Sequence, residues 1–208
     1  LGFYSSIKKT NGKHVNLVRL LACDNYDSYQ DPLKDVVETF IHKNMRNSPL
    51  VNEIGYPSYN KPYGLMKYLE HSGIDSGYIL MSEPDTVVRK KIDPLRLGVK
   101  PGVVYTSPYR HLAGADNHFK KRFLVTNNPV DKVGGAFIFH VSDAKKIAPL
   151  WFEYTKKVRD FMRENPKLYI EETLPYESNE YEKNQAKWHA DMYGYIFAAS
   201  HLNITHII

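Results

Sequence analysis

The chain has 208 residues, of which 42% are hydrophobic and 25% charged, enough for one domain with a sizeable buried core. Its net charge of +5 lies in scattered pairs such as Lys8-Lys9, Lys145-Lys146 and Lys156-Lys157, broken by acidic residues such as Glu171-Glu172. That pattern argues against the concentrated basic face of a nucleic-acid binder, and the lone Cys23 excludes an intrachain disulfide framework. No run approaches the length of a membrane-spanning helix. The chain opens at Leu1-Gly2-Phe3 without methionine and ends on an apolar stretch, so both ends read as cut from something longer.

In chain order, residues 15–21 form an apolar run interrupted by Arg19 and read as a strand. Residues 24–31 read as loop. Pro32 then opens a predicted helix over residues 33 to about 46, with Val36, Val37, Phe40 and Ile41 at helical spacing. A Pro-rich irregular segment leads to a helix over about 61–70, with Leu65, Met66 and Leu69 on one face, Pro62 in its first turn and Gly73 as its stop. A short strand follows over residues 78–81, and Thr86-Val87-Val88 reads as its resumption after a break.

Residues 99–106 are another strand, and 116–124 a short basic helix. Gly134 and Gly135 feed an apolar strand ending at His140, and glycines there let another group approach the backbone. Ser142 caps a long helix over 143 to about 165, in which Pro149 predicts a kink or a division into two consecutive helices. Residues 168–183 read as an acidic loop with Pro175. Residues 184–201 form a last helix bearing Trp188, Met192, Tyr195 and Ile196. Strands alternating with helices predict an α/β sandwich around a mainly parallel sheet, in one domain covering 1–208.

The break after the strand at 78–81 is Ser82-Glu83-Pro84-Asp85. In an extended chain Glu83 and Asp85 would point to the same side, and two convergent carboxylates suit a hard divalent cation that keeps positions open for phosphate. Open α/β sheets bind ligands beyond the carboxyl ends of their strands, where this motif falls. A polar turn closing a strand fits the same residues.

Tyr78-Ile-Leu-Met-Ser-Glu-Pro-Asp85 resembles the strand-plus-acidic motif of the plant and algal hydroxyproline O-arabinosyltransferases and peptidyl-serine α-galactosyltransferases. Asn60-Lys-Pro-Tyr63, Leu17-Val-Arg-Leu-Leu21, Lys145-Lys-Ile-Ala-Pro-Leu-Trp151, Asp191-Met-Tyr-Gly-Tyr195 and Asn203-Ile-Thr-His206 are similar to further blocks of that family, in the same order. Two stretches depart from it: the Gly134-Gly135 region lacks the family's Gly-Asn-Ser-Pro, and 168–183 looks like an insertion.

The resemblance implies a GT-A-type glycosyltransferase using Mn²⁺ or Mg²⁺. It would move arabinofuranose or galactose from a UDP-sugar to a protein hydroxyl on hydroxyproline or serine, with retention. It implies a Golgi or ER luminal enzyme, membrane-anchored through a segment outside this chain. The sequon Asn203-Ile-Thr205 agrees weakly with that location.

On the same footing, Asp85 is the first metal ligand, Glu83 a second ligand or a partner of ribose, and His206 a third ligand. Asp191 faces the sugar or positions the acceptor, and as a buried carboxylate it needs a partner. Arg19 meets the diphosphate or uracil, or forms a structural ion pair. Asn60 and Tyr63 contact nucleotide or sugar, or serve capping and packing. Gly134 and Gly135 admit donor or acceptor. A sugar-nucleotide or glycan-binding domain without catalysis is the alternative reading, and the retained acidic motif weighs against it.

Overall fold

A computed structural model describes residues 2–12, 15–25, 28–174 and 179–208. Residues 26 and 27 of the first predicted loop, and Pro175, lie outside the described residues. After a helix α1 (Gly2–Asn11), strand β1 (Val18–Cys23) pairs in parallel with β2 (Glu38–Lys43), in register from Val18 opposite Glu38 to Cys23 opposite Lys43. Helix α2 (Asn60–His71) packs on this pair and leads to β3 (Tyr78–Met81).

Then come β4 (Val103–Pro108), the short helix α3 (His118–Lys121), β5 (Val133–His140) and the long helix α4 (Val141–Glu164). Helices α5 (Pro166–Thr173), α6 (Glu180–Ala186) and α7 (Ala190–His201) follow, and β6 (Thr205–Ile207) closes the fold. The second sheet has the order β3-β5-β4-β6.

The fold is mixed α/β, but its sheets are not mainly parallel. β5 runs antiparallel to both β3 and β4, while β4 and β6 are parallel. A parallel return needs a crossover that carries the chain back to the start of the preceding strand. Residues 109–132 contain only a 3-10 turn (Ala113–Ala115) and the four-residue α3, and the Tyr109 N–H donates to the Lys132 carbonyl at 2.8 Å. That bond closes the excursion at the end where β4 finished, so β5 must enter in reverse.

The predicted helix over 33–46 is a turn followed by strand β2. Its Thr39-Phe40-Ile41 core is β-branched and aromatic, and the half-buried pattern suits a strand beside β1. The predicted loop over 168–183 is largely helical: Pro166 fits the first turn of α5, and Tyr169 and Thr173, four apart, turn inward. Thr86–Val88 forms no strand. The last predicted helix is split into α6 and α7, and the cap of α4 is His140 rather than Ser142.

Helices α4 and α7 cross closely because Gly194 lies against Thr155, where a Cβ would come within 2.2 Å of Oγ1. Behind the sheet, Trp151 of α4, Tyr195 of α7 and Phe137 of β5 interlock, with Tyr195 and Phe137 ring centres 4.0 Å apart. This core fixes the starts of α2 and α7 beside the carboxyl ends of β3 and β4.

Candidate active site

Lys61, Glu83 and Asp191 meet where those elements end. Lys61 and Asp191 each occupy the second position of a helix, α2 and α7. The Lys61 Nζ lies 2.6 Å from Glu83 Oε1 and 2.9 Å from Asp191 Oδ2. Burial acts to lower the Lys61 pKa, but the charges of Asp191 and Glu83 outweigh it, so the ammonium is raised and stays protonated.

Asp191 is almost wholly enclosed, with 3% of its side chain exposed. The Tyr56 hydroxyl shares its proton between Asp191 Oδ1 (3.3 Å) and the Trp188 carbonyl (3.0 Å), and accepts the Asp191 N–H at 3.1 Å. The Trp151 indole donates to the Asp191 carbonyl at 2.6 Å. Behind Tyr56, the Arg159 guanidinium stacks 4.0 Å from the ring centre and pairs with Glu53. Burial raises the Tyr56 phenol well above its usual range, which keeps it a neutral donor. Asp191 is therefore locked in one orientation, with the cationic partner that its burial requires.

The acidic motif is a turn rather than an extended segment. Thr86 closes it, its Oγ1 donating to the Glu83 carbonyl at 2.7 Å and standing 2.7 Å from Ser82 Oγ. Glu83 turns toward Lys61, whereas Asp85 stands exposed at the tip. Among the described residues no group of three or more His, Cys, Asp or Glu side chains is placed to hold a metal. The turn therefore gives the two carboxylates different surroundings, Glu83 against the Lys61 ammonium and Asp85 in solvent.

Tyr109 follows β4 and lies over Gly134, whose added Cβ would meet Tyr109 Cβ at 3.4 Å and Met192 Sδ at 3.6 Å. Gly135 has φ +85° and open space around it, so a ligand can approach the backbone there. Burial, then the Asp191 charge, raises the Tyr109 phenol. Its hydroxyl stands 3.4 Å from His189 Nε2.

The remaining expected residues lie elsewhere or are engaged. Arg19 pairs with Asp31 at 2.5 Å and contacts Tyr29 and Thr39. Asn60 accepts the Met45 N–H at 2.7 Å and donates to Asn44 at 2.9 Å, tying the loop before α2. Tyr63 is buried between His42 and Phe152. His206 sits on β6, three strand spacings (roughly 14 Å) across the sheet from β3. Its Nδ1 meets Asp131 at 2.8 Å and its Nε2 meets the Tyr195 hydroxyl at 3.0 Å. The structure does not bring His206 to Glu83 and Asp85.

Sequence reasoning missed Lys61, Tyr56, Tyr109 and His189 as site residues. Only Lys61 carried a signal, as the basic residue inside Asn60-Lys-Pro-Tyr63.

A family model described as the hydroxyproline O-arabinosyltransferase family N-terminal domain matches residues 3–208. A peptidyl serine alpha-galactosyltransferase of Arabidopsis thaliana is 32% identical over 210 residues, which is 100% of this chain and 24% of that protein. One from Chlamydomonas reinhardtii is 24% identical over 95% of the chain and 27% of its own length. A hydroxyproline O-arabinosyltransferase of Arabidopsis thaliana is 26% identical over 99% of the chain and 52% of its own length. The chain thus spans about a quarter of the first two relatives and about half of the third.

Proposed function

The chain belongs to the hydroxyproline O-arabinosyltransferase family, and from that membership we propose that it transfers a sugar from a UDP-sugar to a protein hydroxyl. The sugar is arabinofuranose or galactose, the acceptor is hydroxyproline or serine, and the anomeric configuration is retained. The single observation carrying this reading is the convergence of Lys61, Glu83 and Asp191. They come from three separate blocks of the family resemblance and meet at the carboxyl end of a strand.

Each residue has a task in such a transfer. Glu83 and Asp85 would hold Mn²⁺ or Mg²⁺, which supplies positive charge to the departing diphosphate. Lys61, held charged at the same place, adds a fixed cation facing that developing negative charge. Asp191, held by Tyr56 at its carboxylate and by Trp151 at its main-chain carbonyl, would stabilise the sugar carbon as it gains positive character. The open backbone at Gly135 leaves room for the incoming hydroxyl or the sugar. This arrangement fits a GT-A-type site.

Among the described residues no helix is long and apolar enough to cross a membrane. On the proposed reading, a segment outside this chain anchors the enzyme in the Golgi or ER lumen.

Calorimetric titration of UDP tests the donor half. With Mn²⁺ present, binding is expected in the unaltered chain and is abolished by EDTA or by Asp85→Ala. Binding that ignores both would remove the metal and the acidic motif from the account.

A further inference from the structure

His189 is 8% exposed and immediately precedes α7, two residues before Asp191. Its Nδ1 is, among the described residues, the one enclosed side-chain nitrogen or oxygen without a hydrogen-bond partner. Enclosed polar atoms are paired in roughly nine cases of ten, and an exception inside a site is where a ligand, water or ion belongs.

The other ring nitrogen is barely better served. Nε2 stands 3.4 Å from the Tyr109 hydroxyl, at the long limit of a hydrogen bond, so a ligand oxygen can displace that contact. The two rings meet edge to face at 5.8 Å. A half-turn of the imidazole exchanges Nδ1 with Cδ2 and Nε2 with Cε1, so either nitrogen can take the ligand-facing position. Trp188, 48% exposed, precedes His189 in the chain and packs on Tyr56.

We propose that Tyr109 and His189 form a hydroxyl-recognition pair of this site, taking an alcohol group of the transferred sugar or of the acceptor side chain. The proposal rests on the transferase reading above. It adds two ligand-contacting residues beside Asp191.

The test uses His189→Leu and His189→Asn in the unaltered chain. Leucine removes both nitrogens at similar volume, whereas asparagine restores a polar atom near Nδ1. Melting temperature, UDP affinity, UDP-sugar affinity and acceptor-peptide KM are measured for each. His189→Leu is expected to melt no lower than the unaltered chain, because no good hydrogen bond is lost, and to bind UDP unchanged. It should weaken UDP-sugar binding or raise acceptor KM about tenfold, with most of that loss recovered in His189→Asn.

Loss confined to the UDP-sugar assigns the pair to the donor, and loss confined to acceptor KM assigns it to the acceptor. A lowered melting temperature with unchanged affinities and KM would make His189 a packing residue and overturn the proposal. No change in any measurement would overturn it too. If the unaltered chain binds UDP and these results follow, the failure is of this proposal alone. If the unaltered chain binds no UDP, the transferase reading fails and takes this proposal with it.

Discussion

Replacing Lys61 with methionine keeps the aliphatic stem and removes the charge between Glu83 and Asp191. The three side chains differ in exposure, at 21% for Lys61, 45% for Glu83 and 3% for Asp191. Glu83 can rehydrate, so the cost falls on Asp191, left with the Tyr56 hydroxyl as its remaining side-chain partner. Removing one member of a buried pair costs about 3–5 kcal/mol. Because Lys61 is a fifth exposed and Tyr56 stays, the loss belongs at the lower end, about 3 kcal/mol.

For a chain of this length that is a fall in melting temperature of about 6–12 °C. Asp191→Leu in the same background removes the orphaned carboxylate, and a double-mutant cycle should return a coupling of about 2–3 kcal/mol. Urea unfolding of the four proteins gives the free-energy loss and the coupling, and thermal unfolding gives the shift in melting temperature. A melting temperature for Lys61→Met within about 1 °C of the unaltered chain, or a coupling near zero, would refute the central ion pair.

Gly194→Ala would put a Cβ 2.2 Å from Thr155 Oγ1 and 2.8 Å from its backbone nitrogen, which cannot yield. It should cost about 3 kcal/mol in urea unfolding, and, because α7 carries Asp191, lower sugar transfer as well. Unchanged stability would mean that α4 and α7 do not cross as closely as described. Acid should also destabilise the fold. Burial lowers the pKa of His42, His189 and His206 below the ordinary value of about 6.5, so the unfolded chain takes up protons first as pH falls. Stability from these groups is intact above that pH and declines below it, so the urea midpoint should drop between pH 7 and about 5. A pH-independent midpoint would show the three imidazoles to be solvated.

The elements with strong local signals were legible in the sequence. Pro62 and the apolar face Leu65, Met66 and Leu69 marked α2, the short apolar run marked β3, and a long amphipathic stretch marked α4, in which Pro149 is accommodated without ending the helix. The segment at 36–41 was misread because Val36, Val37, Phe40 and Ile41 satisfy helical spacing. Pairing with β1, a tertiary contact, decides it. Strand direction was hidden for a similar reason, since alternation of strands and helices says nothing about a connection as short in helix as residues 109–132.

In the site, the chemistry of Asp191 required a partner, and Lys61 stood in the block Asn60-Lys-Pro-Tyr63, but nothing in the sequence joined the two, since Lys61 reaches Asp191 only after α2 and α7 are packed on one core. His206 carried the right residue type for a ligand. The fold instead spends both its nitrogens on Asp131 and Tyr195.

The most direct test of the account is sugar transfer itself. The unaltered chain and Asp191→Asn would be incubated with Mn²⁺, labelled UDP-arabinofuranose or UDP-galactose, and peptides bearing hydroxyproline or serine. The expected result is label on a peptide from the unaltered chain, with about a 100-fold loss in Asp191→Asn at unchanged UDP affinity. Two results would contradict the account. One is UDP binding without transfer from either donor, which would make the chain a binding domain. The other is full activity in Asp191→Asn, which would move the chemistry away from the Lys61–Glu83–Asp191 cluster.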